Sequence, residues 1–229
     1  MYADHQPIIA EYALASPAGF ARTVTFVLAT VKRYFYNVHL VLDRPAYFTP
    51  AGQRGYAYVQ CAAHDLWQFA TAGCATADRL RRYMDIPGLA YCKAGFLCQL
   101  VHGQVGCLDT HNLKRFGLSP TAFRVPNTTE ASTERLRVYV TTCEVTAGGP
   151  QALWDDWCHL QARLYPLVWR DAEHVSAYHV ACIVPAWGTA AHLPTCPPSP
   201  GAAAQEHRDA PASAQTPAGT TRHRNGVVR

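Results

Sequence analysis

An all-α fold is predicted by three observations. Apolar residues recur at three- and four-residue spacing through most of the first 185 positions, Gly or Pro punctuates the breaks, and no two alternating runs flank a hairpin turn. The main β-favourable run, Arg137 to Thr142, has no partner strand. Taken in order, Ser16-Pro17 reads as an N-cap followed by proline in the first turn. Phe20, Val24, Val27, Leu28, Val31, Phe35 and Val38 then predict a long amphipathic helix to about Leu42, which Pro45 and Pro50 interrupt. Tyr56, Val59, Ala63, Leu66, Trp67 and Ala70 make a second helix, closed by Gly73. Thr76 and Asp78 open a short basic helix through Met84, and a Pro-Gly turn follows over Ile86–Ala90.

Beyond the turn, Ala94, Leu97, Cys98 and Val101 share one helical face while Cys92 and Phe96 lie opposite, which predicts an interior helix. Asp109 or Thr110 caps the next helix, ended by Gly117 and Pro120, with Leu108 and Leu113 spaced as a hydrophobic staple. Leu136, Val140 and Cys143 predict a helix from Ser132 to about Thr146. Gly148-Gly149-Pro150 starts another with Leu153, Trp157, Leu160 and Leu164, and a last one spans Asp171 to Cys182. Trp67, Trp154 and Trp157 are read as core. The helical domain is assigned to residues 1–188, its structured part from about 16 to 185. Residues 189–229, dominated by Pro, Ala, Ser, Thr and Gly, are assigned to a disordered tail that buries too little apolar area to offset its ordering entropy.

The chain has 229 residues and is 49% hydrophobic, enough for a domain-sized core. Its net charge of +4 gives no bulk argument for a nucleic-acid partner, so local clusters have to carry one. Nine cysteines, none paired at two-residue separation and none behind a secretory leader, predict reduced, mostly buried thiols in a cytoplasmic protein rather than a disulfide framework. The same spacing fits no four-cysteine iron–sulfur loop, and no apolar run reaches membrane-spanning length. No metal, cofactor, membrane or obligate protein partner is expected.

The segment Ile86–Gly117, IPGLAYCKAGFLCQLVHGQVGCLDTHNLKRFG, carries most of the functional signal. Its turn, lysine-bearing helix, glycine-broken connection and Leu-Asp-Thr-His helix start resemble the helix-hairpin-helix DNA glycosylase superfamily of the endonuclease III type, most closely its bacteriophage members. That family's hairpin has a Gly-hydrophobic-Gly core, for which this chain has Gly88-Leu89-Ala90. Its Schiff-base lysine position falls on Cys92, with Lys93 one residue later, and its catalytic aspartate falls on Asp109. The resemblance implies a two-lobed helical fold, double-stranded DNA as partner, and an extruded base as the group acted upon. It places Pro87, Gly88, Leu89, Ala90 and Tyr91 at the DNA, with Arg79, Arg82, Lys93 and Lys114 on phosphates and His111 supporting the site.

Asp109 is then the residue that stabilises the oxocarbenium-like transition state of N-glycosidic cleavage, while it also caps its helix. Lys93 is the second catalytic candidate. With Cys92 at the aligned nucleophile position and Lys93 turned by about 100° on the helix, a monofunctional glycosylase is expected rather than a lyase. Two alternatives accompany this reading. One is a transferase of the same superfamily, associated with hypermodified thymine in phage DNA. The other is a non-catalytic DNA-binding module.

Overall fold

The computed structural model describes residues 1–123 and 129–187, with residues 129–131 described by backbone alone; the tail expected over 189–229 lies outside them. Among the described residues there are nine α-helices and no strand: α1 Tyr2–Ala15, α2 Pro17–Ala29, α3 Pro50–Thr71, α4 Thr76–Met84, α5 Tyr91–His102, α6 Thr110–Arg115, α7 Thr129–Thr141, α8 Gly149–Leu164 and α9 Ala172–Ile183. The all-α expectation holds at that level. None of these helices is long and apolar enough to cross a membrane.

The capping signals work as the sequence implies. Ser16 accepts from the Gly19 amide and Asp171 from the His174 amide at 2.7 Å, each satisfying a donor that a helix start leaves open. Thr49 caps α3 with Pro50 in its first turn, so the proline expected to interrupt the chain begins a helix instead. α1 was not anticipated. It starts at Tyr2, buries Ile9 and Ala13, and packs against α2, α5, α8 and α9.

The predicted helix to Leu42 is also corrected. α2 stops at Ala29, where the Thr30 hydroxyl donates to the Val27 carbonyl, and Lys32 adopts a left-handed φ of 54°. Phe35 and Val38 stay buried, but on a separate 3₁₀ turn over Phe35–Leu40. Apolar spacing persisted while chain direction changed, and spacing alone does not report direction.

α5 is the interior helix. Tyr91, Ala94 and every residue from Gly95 to Val101 are buried, and α1, α2 and α4 pack around it. The turn at 86–90 joins α4 to α5, with Ile86 and Leu89 inside and Gly88 and Ala90 exposed. Gly88 has a φ of +90°, and a Cβ there would stand 3.2 Å from the Ala51 carbonyl group at the start of α3. Glycine is thus required by its own backbone angle and by α3. Ala90 sits at φ −96° and ψ −176°, ordinary extended geometry, so alanine in place of the family's second glycine costs nothing there.

Two histidines set an acid limit on this core. His102, which shares a 2.7 Å hydrogen bond with the Tyr83 hydroxyl, and His179, inside an aromatic cluster, are both held down to about 3, mainly because burial opposes the charged imidazolium. An unfolded histidine takes up its proton near 6.5, so the unfolded chain binds more protons between pH 6.5 and 3 and stability falls as pH falls through that window. The loss is expected to reach a few kcal/mol at its lower end. Denaturant unfolding between pH 7.5 and 4 measures it, and His179→Gln and His102→Gln should each flatten the slope.

Candidate functional site

A cavity of about 280 Å³ opens where the chain after α2 meets α5, the loop before α6, α8 and α9. Each element presents one stripe. Lys93, Phe96 and Gln99 come from successive turns of α5, while Leu153, Trp154, Trp157 and Gln161 form one face of α8. Asp109, His111 and Asn112 come from the start of α6, Arg33, Tyr34 and Phe35 from the segment after α2, and His179 from α9.

The walls are aromatic. Phe35 meets Trp157 edge-on at 4.6 Å, and the His179 ring lies 4.2 Å from Trp154 and 4.6 Å from Phe35. His179 Nδ1 approaches the Val175 carbonyl at 3.0 Å. A carbonyl only accepts, so Nδ1 carries the proton and Nε2 is left as the acceptor nitrogen of a neutral ring. Polar groups share the lining, and several are held in place. Gln99 donates to the Pro150 carbonyl, and Asn112 donates to the Cys107 carbonyl at 2.7 Å. Gln161 is a buried polar residue on the same face of α8 as Trp157. A cavity with aromatic walls and fixed polar groups suits a flat heteroaromatic ring.

Asp109 is the N-cap of α6. One carboxylate oxygen accepts from the amides of His111 at 3.0 Å and Asn112 at 2.9 Å, and the group also lines the cavity, so cap and site residue coincide. Leu108 and Leu113 are both buried, as a staple requires. The connection carrying Asp109 is clamped from behind by the hydroxyl of Tyr139, which donates to Gly106 at 2.7 Å and accepts from the Leu108 amide at 3.1 Å. Cys107 Sγ lies 3.3 Å from Cys92 Sγ in the first turn of α5. The hydrogen bond between the two sulfurs, with help from Lys93, holds the Cys92 thiol below its usual range, while the same bond and burial push Cys107 up. This sulfur contact ties the helix that follows the hairpin to the residue two places before Asp109.

Lys93 points into the cavity rather than along a solvated face. Its Nζ donates to the Thr30 hydroxyl at 2.8 Å and stands 5.6 Å from the Phe96 ring centre. With Arg33 it brings two cations to a cavity whose walls hold one carboxylate, Asp109. No ion pair within 4.0 Å joins these groups among the described residues.

Of the sequence-predicted site residues, Asp109, Lys93 and His111 converge on this cavity, and Lys114 is exposed on an adjoining cleft. Three expectations are corrected. Arg79 is buried and donates to Gln104 at 2.6 Å, so it is no phosphate contact. Tyr91 is buried against Tyr139 and Phe123, its hydroxyl donating to the Ser132 carbonyl. The Leu89 side chain is core, which leaves only its backbone to the surface. Arg82 is half-exposed and pairs with Asp85, while Pro87, Gly88 and Ala90 keep surface exposure.

The sequence reading missed Arg33, Tyr34, Gln161, Tyr165 and His179 as site residues, and it placed Trp154 and Trp157 in the core without seeing that they also wall a cavity. The four-residue spacing of Trp157 and Gln161 put both on one face of α8, but nothing local marked that face as open. Among the described residues no three of His, Cys, Asp and Glu converge as metal ligands would. Compared with protein-family models, with curated proteins and with solved structures, the chain has no significant match to any.

Proposed function

We propose that the chain binds double-stranded DNA, takes one extruded base into the aromatic cavity and releases it by N-glycosidic cleavage, as a monofunctional DNA glycosylase of the helix-hairpin-helix type. The observation that carries this reading is the convergence of Asp109 on an aromatic cavity beside two cations, Lys93 and Arg33. A base enters such a cavity by stacking and by hydrogen bonds to its edge, and leaves its sugar at the mouth, where a carboxylate offsets the positive charge that develops as the bond breaks. Asp109 is suited to that part because the α6 amides fix one of its oxygens. The two-lobed arrangement belongs to the same reading. The hairpin adds the exposed backbone of Gly88 and Ala90 and an α5 start without a side-chain cap, where amides are open to a phosphate.

Lys93 acts as an anchor for the sugar–phosphate, held by Thr30, and not as a nucleophile. A panel of duplexes, each with one lesion or modified base, is expected to give abasic-site formation on at least one member, and borohydride is expected to trap no covalent complex. Trapping that disappears in Lys93→Ala would make the protein a lyase. Turnover confined to duplexes with a substituted thymine, without an abasic product, would move it to the transferase alternative. DNA binding with no turnover on any member would leave a binding module.

A further inference from the structure

The cavity does not end at its aromatic walls. On one side it continues into a groove lined by Lys32, Arg33, Tyr34 and Asn37, sharing Arg33 and Tyr34 with the cavity. On the other it opens into a cleft that shares His111 and Asn112 and adds Lys114, His159 and Arg163. The path is therefore basic, then aromatic, then basic. Arg115 in the second cleft is neutralised by Asp156, but Lys32, Lys114 and Arg163 have no carboxylate partner among the described residues. Arg33 donates to a neutral carbonyl, that of Tyr47.

The segment after α2 is built to face outward. Lys32 holds a left-handed backbone, which costs a non-glycine residue on the order of 1 kcal/mol. It persists because both sides are pinned, Thr30 by its bonds to Val27 and Lys93 and Phe35 by its burial in the core. The turn sends Phe35 inward and leaves Tyr34 60% exposed, its ring stacked on Tyr36 at 5.5 Å and 11°. A flat exposed ring between two cations and an aromatic cavity is an arrangement that nucleic-acid strands use, with alternating phosphate and base contacts.

We propose that Lys32, Arg33 and Tyr34 form a second DNA contact apart from the hairpin. The two cations each hold a phosphate on one side of the extruded nucleotide, Tyr34 stacks on a base next to the vacated position, and Lys114 and Arg163 each hold a phosphate on the other side. This rests on the function proposed above. It goes beyond it by fixing where the strand runs and by assigning that role to residues outside the hairpin-to-α6 segment.

The test is equilibrium binding of labelled duplexes, one fully paired and one with a single mismatch, over a range of salt concentrations. Lys32→Ala/Arg33→Ala is expected to weaken both by about tenfold at low salt and to reduce the slope of log affinity against log salt by about two, the value for two lost phosphate contacts. Lys114→Ala/Arg163→Ala, at two exposed positions, should do the same. Tyr34→Ala should leave the slope unchanged and weaken the mismatched duplex more than the paired one. Should the double variant at 32 and 33 fold poorly, Lys32→Ala alone reads a slope change of about one. Parent-like affinity and slope in the charge variants, with the parent binding DNA and Asp109→Asn still inactive, would overturn the strand path and leave the proposed function standing. A parent that binds no DNA would overturn both.

Discussion

Asp109→Asn is expected to keep the fold and DNA affinity while slowing base release at least about 100-fold, the usual scale for loss of one well-placed electrostatic or acid–base group. The amide oxygen of asparagine still accepts from the His111 and Asn112 amides, so the α6 cap survives. What is lost is the negative charge facing the cavity. Single-turnover abasic-site formation, compared with binding of the same duplex, separates the two roles. A residue that served only as a cap would show a small stability change and undiminished turnover.

Gly95→Ala is expected to be the most damaging small substitution in the site's support, at about 3 kcal/mol of stability, the upper end of ordinary overpacking. A Cβ on Gly95 would stand 2.4 Å from the Gly106 carbonyl oxygen and 2.6 Å from the Tyr139 hydroxyl. Neither neighbour yields easily. The carbonyl is main chain, and the hydroxyl is fixed by its bonds to Gly106 and Leu108. Relief would push the connection away from α5 and carry Cys107 and Asp109 with it. Denaturant unfolding measures the stability loss. Residual turnover below that of an equally destabilised variant elsewhere, such as Ile9→Ala, would show that the site itself has moved.

Helix starts were the most legible part of the sequence, because capping is a local matter. Ser16, Asp109 and Asp171 each meet an amide within three residues, and composition reports such short-range bonds directly. The stop of α2 was not legible. Its apolar stripe runs on into Phe35 and Val38, and only the tertiary fit of Phe35 against Trp157 and His179 explains why the chain turns at Lys32. The same limit governs the site. Asp109, Lys93 and His111 stood together in one segment and could be picked out there. Arg33, Gln161 and His179 lie far from it in sequence, and each resembles an ordinary helix or loop residue until the cavity is assembled. Arg79 and Tyr91 failed in the opposite sense: they sit in the right segment, but α4 and α5 turn them inward.

His179 has a consequence for how the cavity would choose its occupant. Because Nδ1 faces the Val175 carbonyl and burial opposes protonation down to about pH 3, the imidazole stays a neutral ring throughout the neutral range. An occupant would meet a neutral imidazole in the wall, not a cation, at pH 5.5 as at pH 8. A change in turnover across that interval would therefore originate in groups other than this ring.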